Sequence, residues 1–302
     1  MAGFTLRRKE LKKEIASIVI LYNPNWNLLK EVINEASTQC CKVFAIDNSI
    51  GNNRSIFESS FNELENVVYY PLLDNFGIAH AQNVGLEFVK DYEYVVFLDQ
   101  DSIPFENMVK TLIEDFKLLR LHNVQVATIG PQPVNSQTNN PYEPRLFKNK
   151  DFIIDGVKFF QTKQIISSGG LMLVKDFNEI GHFEELLFID GVDHEWCWRA
   201  KKYGYQTFLS TRTSLVHSLG EGDRKIAGFD IATTSSFRLY YQYRNFIILL
   251  FRGYVPFYWK LNSFIKYIVK MVYYPVVNKD INILKRIIVG IKDGFKIILE
   301  NK

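Results

Sequence analysis

Four short runs, IASIVIL (15–21), KVFAID (42–47), VVYY (67–70) and EYVVFLD (93–99), punctuate the first hundred residues. The first is a β-branched run of the kind buried in a parallel sheet, and the others read as its neighbouring strands. Leu28, Leu29, Val32, Ile33 and Ala36 recur at helical spacing after Asn25 or Asn27, either of which can cap a helix. Ala81, Val84, Phe88 and Val89 repeat the pattern within 79–90. Strands alternating with helices predict an α/β, doubly wound, mostly parallel sheet, which takes ligands at the carboxyl ends of its strands.

Pro104 is expected to open a further helix with Met108, Leu112, Ile113, Phe116 and Leu119 on its inner side. VQVATI (124–129) reads as a strand, and the aperiodic, proline-rich 131–144 as a loop near the site. Shorter strands are expected at 152–154, 164–167, 171–174, 206–209 and 214–217, a helix around 193–203, and helices from about 233 onward. No repeat or flexible linker divides the 302 residues. We divide the chain into a main domain, 1–230, with a first half about 15–103 and a second half about 104–230 (below, the donor and acceptor halves that a family resemblance implies), and a helical region, 231–302. With 47% hydrophobic and 23% charged residues it is not a disordered chain. Three cysteines are too few for a disulfide framework or zinc site, which fits a reducing compartment.

The strand ends carry the chemistry. Tyr22-Asn23 follows the first strand, Asp47-Asn48-Ser49 the second, and Asp99-Gln100-Asp101-Ser102 the fourth, all on one edge of a parallel sheet. Singly these are turn residues. Together they outline a nucleotide groove, with Tyr22 to stack, Asp47 to meet ribose or base edges, and Asp99 and Asp101 to hold a hard divalent cation with diphosphate oxygens. On local grounds the 99–102 run reads equally as a cap for the helix at Pro104. The third exit supplies Asn75-Phe76-Gly77-Ile78-Ala79-His80-Ala81-Gln82-Asn83, whose small residues let backbone approach a ligand at a helix start. Neither the Walker nor the dinucleotide glycine spacing is present.

In order, Tyr22-Asn23, Asp47-Asn48, Asn75 to Asn83, Asp99-x-Asp101, Gly169-Gly170 and FIDGVDHEWCWRAKKYGY (188–205) resemble a family 2 glycosyltransferase over roughly residues 15–220. DQDS and VDHEWCWR resemble its rhamnosyltransferase branch, which builds bacterial O-antigen and capsular polysaccharides. The resemblance implies a GT-A fold, a nucleotide-binding half merged with a smaller acceptor-binding half, and inverting, metal-dependent sugar transfer. It implies donor contacts from Tyr22, Asn23, Asp47, Asn48, Asn75, Gly77, Asn83, Asp99 and Gln100, and a divalent cation (Mg²⁺ or Mn²⁺) on Asp99 and Asp101 with His217.

Asp193 matches the residue that deprotonates the acceptor hydroxyl, although the family's Glu-Asp pair is Val192-Asp193 here. Glu195 is the fallback base and Asp190 a remoter one. Gly170, Glu195, Trp196 and Arg199 fall on the acceptor side. The acids equally suit a helix N-terminus, and Trp196 and Trp198 equally suit a core. Arg224 and Lys225 would help neutralise the leaving diphosphate. The donor implied is dTDP-L-rhamnose and the acceptor a lipid-linked oligosaccharide. Rival readings are transfer of galactose or glucose from another nucleotide sugar, and a non-catalytic nucleotide-sugar-binding protein.

From Ile231 to Lys279 there is no Asp or Glu but seven Lys or Arg, while the rest of the chain is net −4. Thirteen aromatics fall between Tyr240 and Tyr274. Cations interleaved with rings and aliphatics, without a nucleic-acid motif, point to an anionic membrane surface rather than nucleic acid. No apolar run is long enough to span a bilayer, and the N-terminus lacks a signal-peptide core. The expectation is a cytoplasmic protein, peripheral on the inner face of the cell membrane, with Pro256 and Pro275 breaking the stretch. A homodimer interface is the alternative use of the same surface.

Overall fold

A computed structural model describes residues 14–135, 150–217, 223–226, 229–232 and 235–300. Strand β1 (Ile15–Leu21) lies at the centre of the donor half and is buried along its whole length. It pairs in parallel with β2 (Lys42–Asp47) on one side and β4 (Tyr94–Asp99) on the other, and β3 (Val67–Pro71) extends the sheet beyond β2. Alternate residues serve the two faces, as the strand period requires. Ile15, Val19 and Leu21 pack with helices α1 (Trp26–Gln39) and α4 (Met108–Leu121), while Ala16, Ile18 and Ile20 face α3 (Ile78–Phe88). Helix α2 (Arg54–Phe61) sits beside β3. Parallel order puts the carboxyl ends of β1, β2, β3 and β4 on one edge.

The acceptor half continues the sheet with mixed strands: β5 (Ser102–Pro104), β6 (Val126–Asn135), β7 (Lys150–Ile154), β8 (Val157–Thr162), β9 (Leu171–Leu173) and β10 (Gln206–His217). The order is β3-β2-β1-β4-β9-β6-β10-β8-β7, with β5 against β10. Helices α5 (Phe177–Ile180) and α6 (Val192–Lys202) cover one face, and β11 (Asp223–Ile226) pairs with β12 (Phe229–Ala232). Helices α7 (Ser236–Leu250), α8 (Phe257–Val277) and α9 (Ile281–Glu300) complete the chain. Gly290 and Gly294 let α9 press on α7, since a Cβ at Gly294 would lie 2.8 Å from the Arg244 carbonyl oxygen.

Several local expectations are corrected. Pro104 ends strand β5 opposite Leu215, and the helix starts at Met108 after Asn107 in a left-handed turn. Residues 164–167 are irregular, and the strand precedes them at 157–162, in a hairpin closed by Asp155-Gly156, both at positive φ. That Asp-Gly pair is a strong hairpin signal, passed over in the sequence reading. The strands expected at 206–209 and 214–217 are one strand carrying a register shift between Leu209 and Ser214. Residues 131–135 of the expected loop belong to β6, and 136–144 lie outside the described residues. Helix α2 was missed because only Phe57 and Phe61 of its eight residues are buried. Pro256 does end the previous segment, whereas Pro275 is accommodated in the last turn of α8.

Candidate active site

The exits of the parallel strands are stitched together by their own side chains. Gln100 accepts from the Tyr22 backbone N–H at 2.7 Å and donates to the Tyr22 carbonyl at 3.0 Å. Asn23, at φ +46°, donates its N–H to Ser49 Oγ at 2.7 Å. Asn48 donates to Asn75 Oδ1 at 3.0 Å and accepts from the Phe76 N–H at 2.9 Å. Tyr22 is left with its ring exposed at this edge. The cleft floor is thus a single hydrogen-bonded layer joining the exits of β1, β2 and β4 to the loop after β3.

Three expected donor contacts are engaged within the protein: Asp47 in this layer, and Asn83 and Gly77 against residues 183–188. Asp47 is fully buried, accepting from Ser49 N–H, Asn53 Nδ2 and the Tyr69 hydroxyl at 2.9, 2.9 and 2.6 Å. Its oxygens are engaged, and the carboxylate together with burial drives the Tyr69 phenol well above its usual pKa. Asn83 is buried, binding Phe183 N–H, the Phe183 carbonyl and Glu185. Gly77 meets Phe188, since a Cβ there would overlap both ring and carbonyl, and φ +88° is itself a glycine conformation.

Asp99 and Asp101 stand at the end of β4, and the Asp99 N–H donates to Ser168 Oγ at 3.0 Å. Burial pushes the Asp99 carboxyl up to about 7, and the Asp101 and Asp193 carboxylates push it the same way, opposed by Arg238. Three carboxylates from β4 and the first turn of α6 therefore share one field across the cleft. Crowded hard-oxygen ligands at a partly open edge are what a divalent cation relieves, so Asp99 and Asp101 fit such an ion. Among the described residues no group of three or more His, Cys, Asp or Glu forms a complete metal cage. Two carboxylates would leave positions for diphosphate oxygens. His217 ends β10 opposite Ser102, next to Asp101 in sequence; its side chain lies outside the described residues, as do those of Arg224 and Lys225. Gly170 allows a close approach rather than presenting a group: a Cβ there would lie 2.9 Å from the Ser167 carbonyl oxygen.

Asp193 occupies the first turn of α6, entered through Phe188, Asp190 and Gly191, all at positive φ. The fallback base is excluded by its partners. Glu195 is 1% exposed, holds Arg199 bidentately at 2.8 and 2.9 Å, and accepts from the Tyr254 hydroxyl at 2.6 Å. Arg199 also ties the carbonyls of Ile180 and His182, so it is an internal strut rather than an acceptor contact. Trp196 is fully buried beside Phe177 and Phe183 and donates to the Gly181 carbonyl, so neither ring face is open to a sugar. Trp198 is likewise buried, against Trp259.

What the sequence reading missed is a clasp from α7. Asn245 donates to the carbonyls of Leu187, Ile189 and Asp190 at 2.8, 2.7 and 3.0 Å. Arg238 binds the Asp190 carboxylate through Nε and Nη2 at 2.8–3.0 Å. Tyr241 stacks on Phe188 at 4.6 Å, and Arg244 donates to the Leu186 carbonyl. Asp190 is thereby engaged in positioning its loop. The available signal was Arg238, Tyr241 and Asn245 at helical spacing within the acid-free stretch.

A parallel nucleotide cleft, paired carboxylates at its central exit and an aspartate facing them from the acceptor half together define a GT-A nucleotide-sugar transferase. Solved structures bear out the fold. One of Staphylococcus aureus TarS 1-349 with UDP-GlcNAc aligns with TM-score 0.56 and 15% identity over 92% of this chain and 81% of that one. One of GalNAc-T7 with UDP, GalNAc and Mn²⁺ aligns with TM-score 0.58 and 12% identity over 83% of this chain, which spans half of the GalNAc-T7 length. The model of "Glycosyl transferase family 2" matches residues 17–181, and the chain belongs to that family. It is 30% identical over 253 residues to the dTDP-rhamnosyl transferase RfbF of Shigella flexneri, covering 82% of this chain and 83% of RfbF. The protein is accordingly a glycosyltransferase of the rhamnosyltransferase branch.

Proposed function

We propose that the protein transfers L-rhamnose from dTDP-L-rhamnose to a hydroxyl of a lipid-linked oligosaccharide, with inversion. The likeness to RfbF along most of both chains carries the choice of sugar. In this reading Asp193 takes the acceptor proton as the hydroxyl oxygen attacks the anomeric carbon. The leaving diphosphate lies at the β4 exit, where Asp99 and Asp101 would hold Mg²⁺ or Mn²⁺; bound there, the ion neutralises charge developing on the phosphates. Tyr22, held by Gln100, offers its exposed ring to the base, and Arg238 adds positive charge beside Asp99 and Asp193.

The exposed face of α8 gives a lipid-linked acceptor a surface to approach. Phe257, Leu261, Phe264, Ile265, Ile268, Val272 and Val276 form one stripe, each at least half exposed. Among the described residues no helix is long and apolar enough to cross a membrane. The contact is a stripe lying on the cytoplasmic lipid surface. Of the cations of this stretch, Arg238 is engaged with Asp190, Arg244 with the Leu186 carbonyl, Lys260 with the Arg252 carbonyl and Lys270 with Gln242, while Lys266 and Lys279 lie exposed. In this reading the apolar stripe carries most of the association.

A donor panel scored for transfer tests the sugar assignment. dTDP-L-rhamnose should give product, while UDP-galactose and UDP-glucose should not; EDTA should stop the reaction and Mg²⁺ or Mn²⁺ restore it. Transfer from a UDP-hexose alone would replace rhamnose, and full activity in EDTA would remove the metal.

A further inference from the structure

The chain enters α6 through a turn whose backbone favours glycine, yet an aromatic residue stands at its centre. Phe188 lies at φ +61° and ψ −63°, and across it the Ile189 N–H donates to the Leu187 carbonyl at 2.6 Å. This is the γ-turn with positive φ at its central residue, the rare and strained form. Asp190 and Gly191 follow at φ +65° and +89°. Such a conformation persists where the surroundings over-determine it, and here they do so from two sides of the cleft.

The carbonyls of the turn divide between them. Those of Leu187, Ile189 and Asp190 go to Asn245 of α7. The Phe188 carbonyl goes the other way and accepts from the Ile78 N–H, the first residue of α3, at 2.8 Å. The ring is shared in the same manner. It stacks on Tyr241 of α7 with centroids 4.6 Å apart and planes 11° apart. It also fills the space that a side chain at position 77 would need, since a Cβ there would lie 2.6 Å from its Cδ2. Gly77 in turn belongs to the cleft floor: its N–H donates to Asn75 Oδ1 at 3.1 Å, and that oxygen also accepts from Asn48 Nδ2 at 3.0 Å. Contacts therefore run without a gap from the exit of β2 through Asn48, Asn75, Gly77 and Phe188 to the turn that carries Asp193.

We propose that Phe188 is a positioning residue that fixes the Asp193 turn to the loop of the nucleotide floor, so that seating the nucleotide steadies the turn. This rests on the roles proposed above for the floor and for Asp193, and extends them. The Phe188 carbonyl sets the separation of the two loops. Its ring, stacked on Tyr241, opposes the rotation by which the strained φ would relax. Without the stack the turn relaxes away from Gly77, and Asp193 loses its fixed place against the floor while both flanking elements keep their fold.

The test is hydrogen exchange on the full chain, with and without dTDP and Mg²⁺, beside steady-state kinetics. In the wild type, dTDP should slow exchange in 75–83 and in 187–193 together. Phe188→Gly takes the φ of the turn without strain and removes the ring alone. Tyr241→Ala removes the stacking partner and leaves the turn as it is. In both variants dTDP should still protect 75–83, while its protection of 187–193 should fall by about 5-fold or more, the lower end of coupling between linked sites. Turnover should fall with the donor KM nearly unchanged, and Tyr241→Phe, which keeps the stacked ring, should restore turnover and protection alike. Protection lost equally from both segments would show a brace of the fold and overturn the proposal. Unchanged protection of 187–193 in both variants would overturn it too, as would wild-type dTDP binding that leaves 187–193 unprotected. Should dTDP fail to bind the wild type, the donor reading falls and the free protein decides: faster exchange of the Ile78 amide in both variants supports the linkage, and unchanged exchange overturns it.

Discussion

At the scale of single residues, two acids two positions apart stand in opposite surroundings. Asp193 faces the carboxylates of β4 from the first turn of α6, whereas Glu195 is enclosed by Arg199 and Tyr254. If Asp193 is the base of the proposed reaction, Asp193→Asn should lower turnover by about 10²–10⁴-fold while calorimetry still shows donor binding. Glu195→Gln should instead lower the melting temperature, since breaking a buried ion pair costs about 3–5 kcal/mol. A Glu195→Gln protein of full stability and no activity would reverse the two roles. Lys270 gives a pH signature. Burial lowers its ammonium from the ordinary lysine 10.5 to about 8, so between these pH values the unfolded chain binds the proton more tightly. Stability of the wild type relative to Lys270→Met should therefore rise with pH across that window and be flat below it, as denaturant titrations at pH 7, 8, 9 and 10 would show. Spacing and type pointed to Asp99 and Asp101 at a strand exit, and the family resemblance pointed to Asp193. They could not separate a donor contact from a brace, because Asp47, Asn83 and Arg199 are assigned by what reaches them from distant segments.

Among the elements, the alternation of apolar runs and helical spacing revealed the donor half because its central strands β1, β2 and β4 are local and buried on both faces. The acceptor half was less legible. Its strands are mixed in direction and set by long-range pairing, as in β10 with β5, β6 and β8. The clasp from α7 was illegible for the same reason: Asn245 looks like any helical asparagine until three carbonyls from 187–190 converge on it. Asn245→Ala leaves these carbonyls without their donor and should destabilise the turn into α6, at about 1–3 kcal/mol for the unsatisfied buried groups. Turnover should fall by more than dTDP affinity, since the turn carries Asp193 and not the nucleotide floor. Equal losses in both would mean that the clasp supports the sheet rather than the turn.

For the whole molecule, the nucleotide cleft, the carboxylates and the exposed stripe of α8 follow one another across a single chain. If the stripe is what meets lipid, vesicle sedimentation should show binding that falls when Phe264, Ile268 and Val272 become Gln and responds only weakly to salt. If these changes leave sedimentation intact but turn a dimer into a monomer in sizing experiments, the stripe is a subunit interface. The clasp also has a temporal side. A chain leaves the ribosome from its N-terminus, and domains fold in that order. The floor that receives the nucleotide can close while Arg238 and Asn245 are still unmade, and the turn holding Asp193 gains its supports only when α7 emerges. The nucleotide floor thus forms from residues made early, and the supports of the Asp193 turn arrive last, with α7.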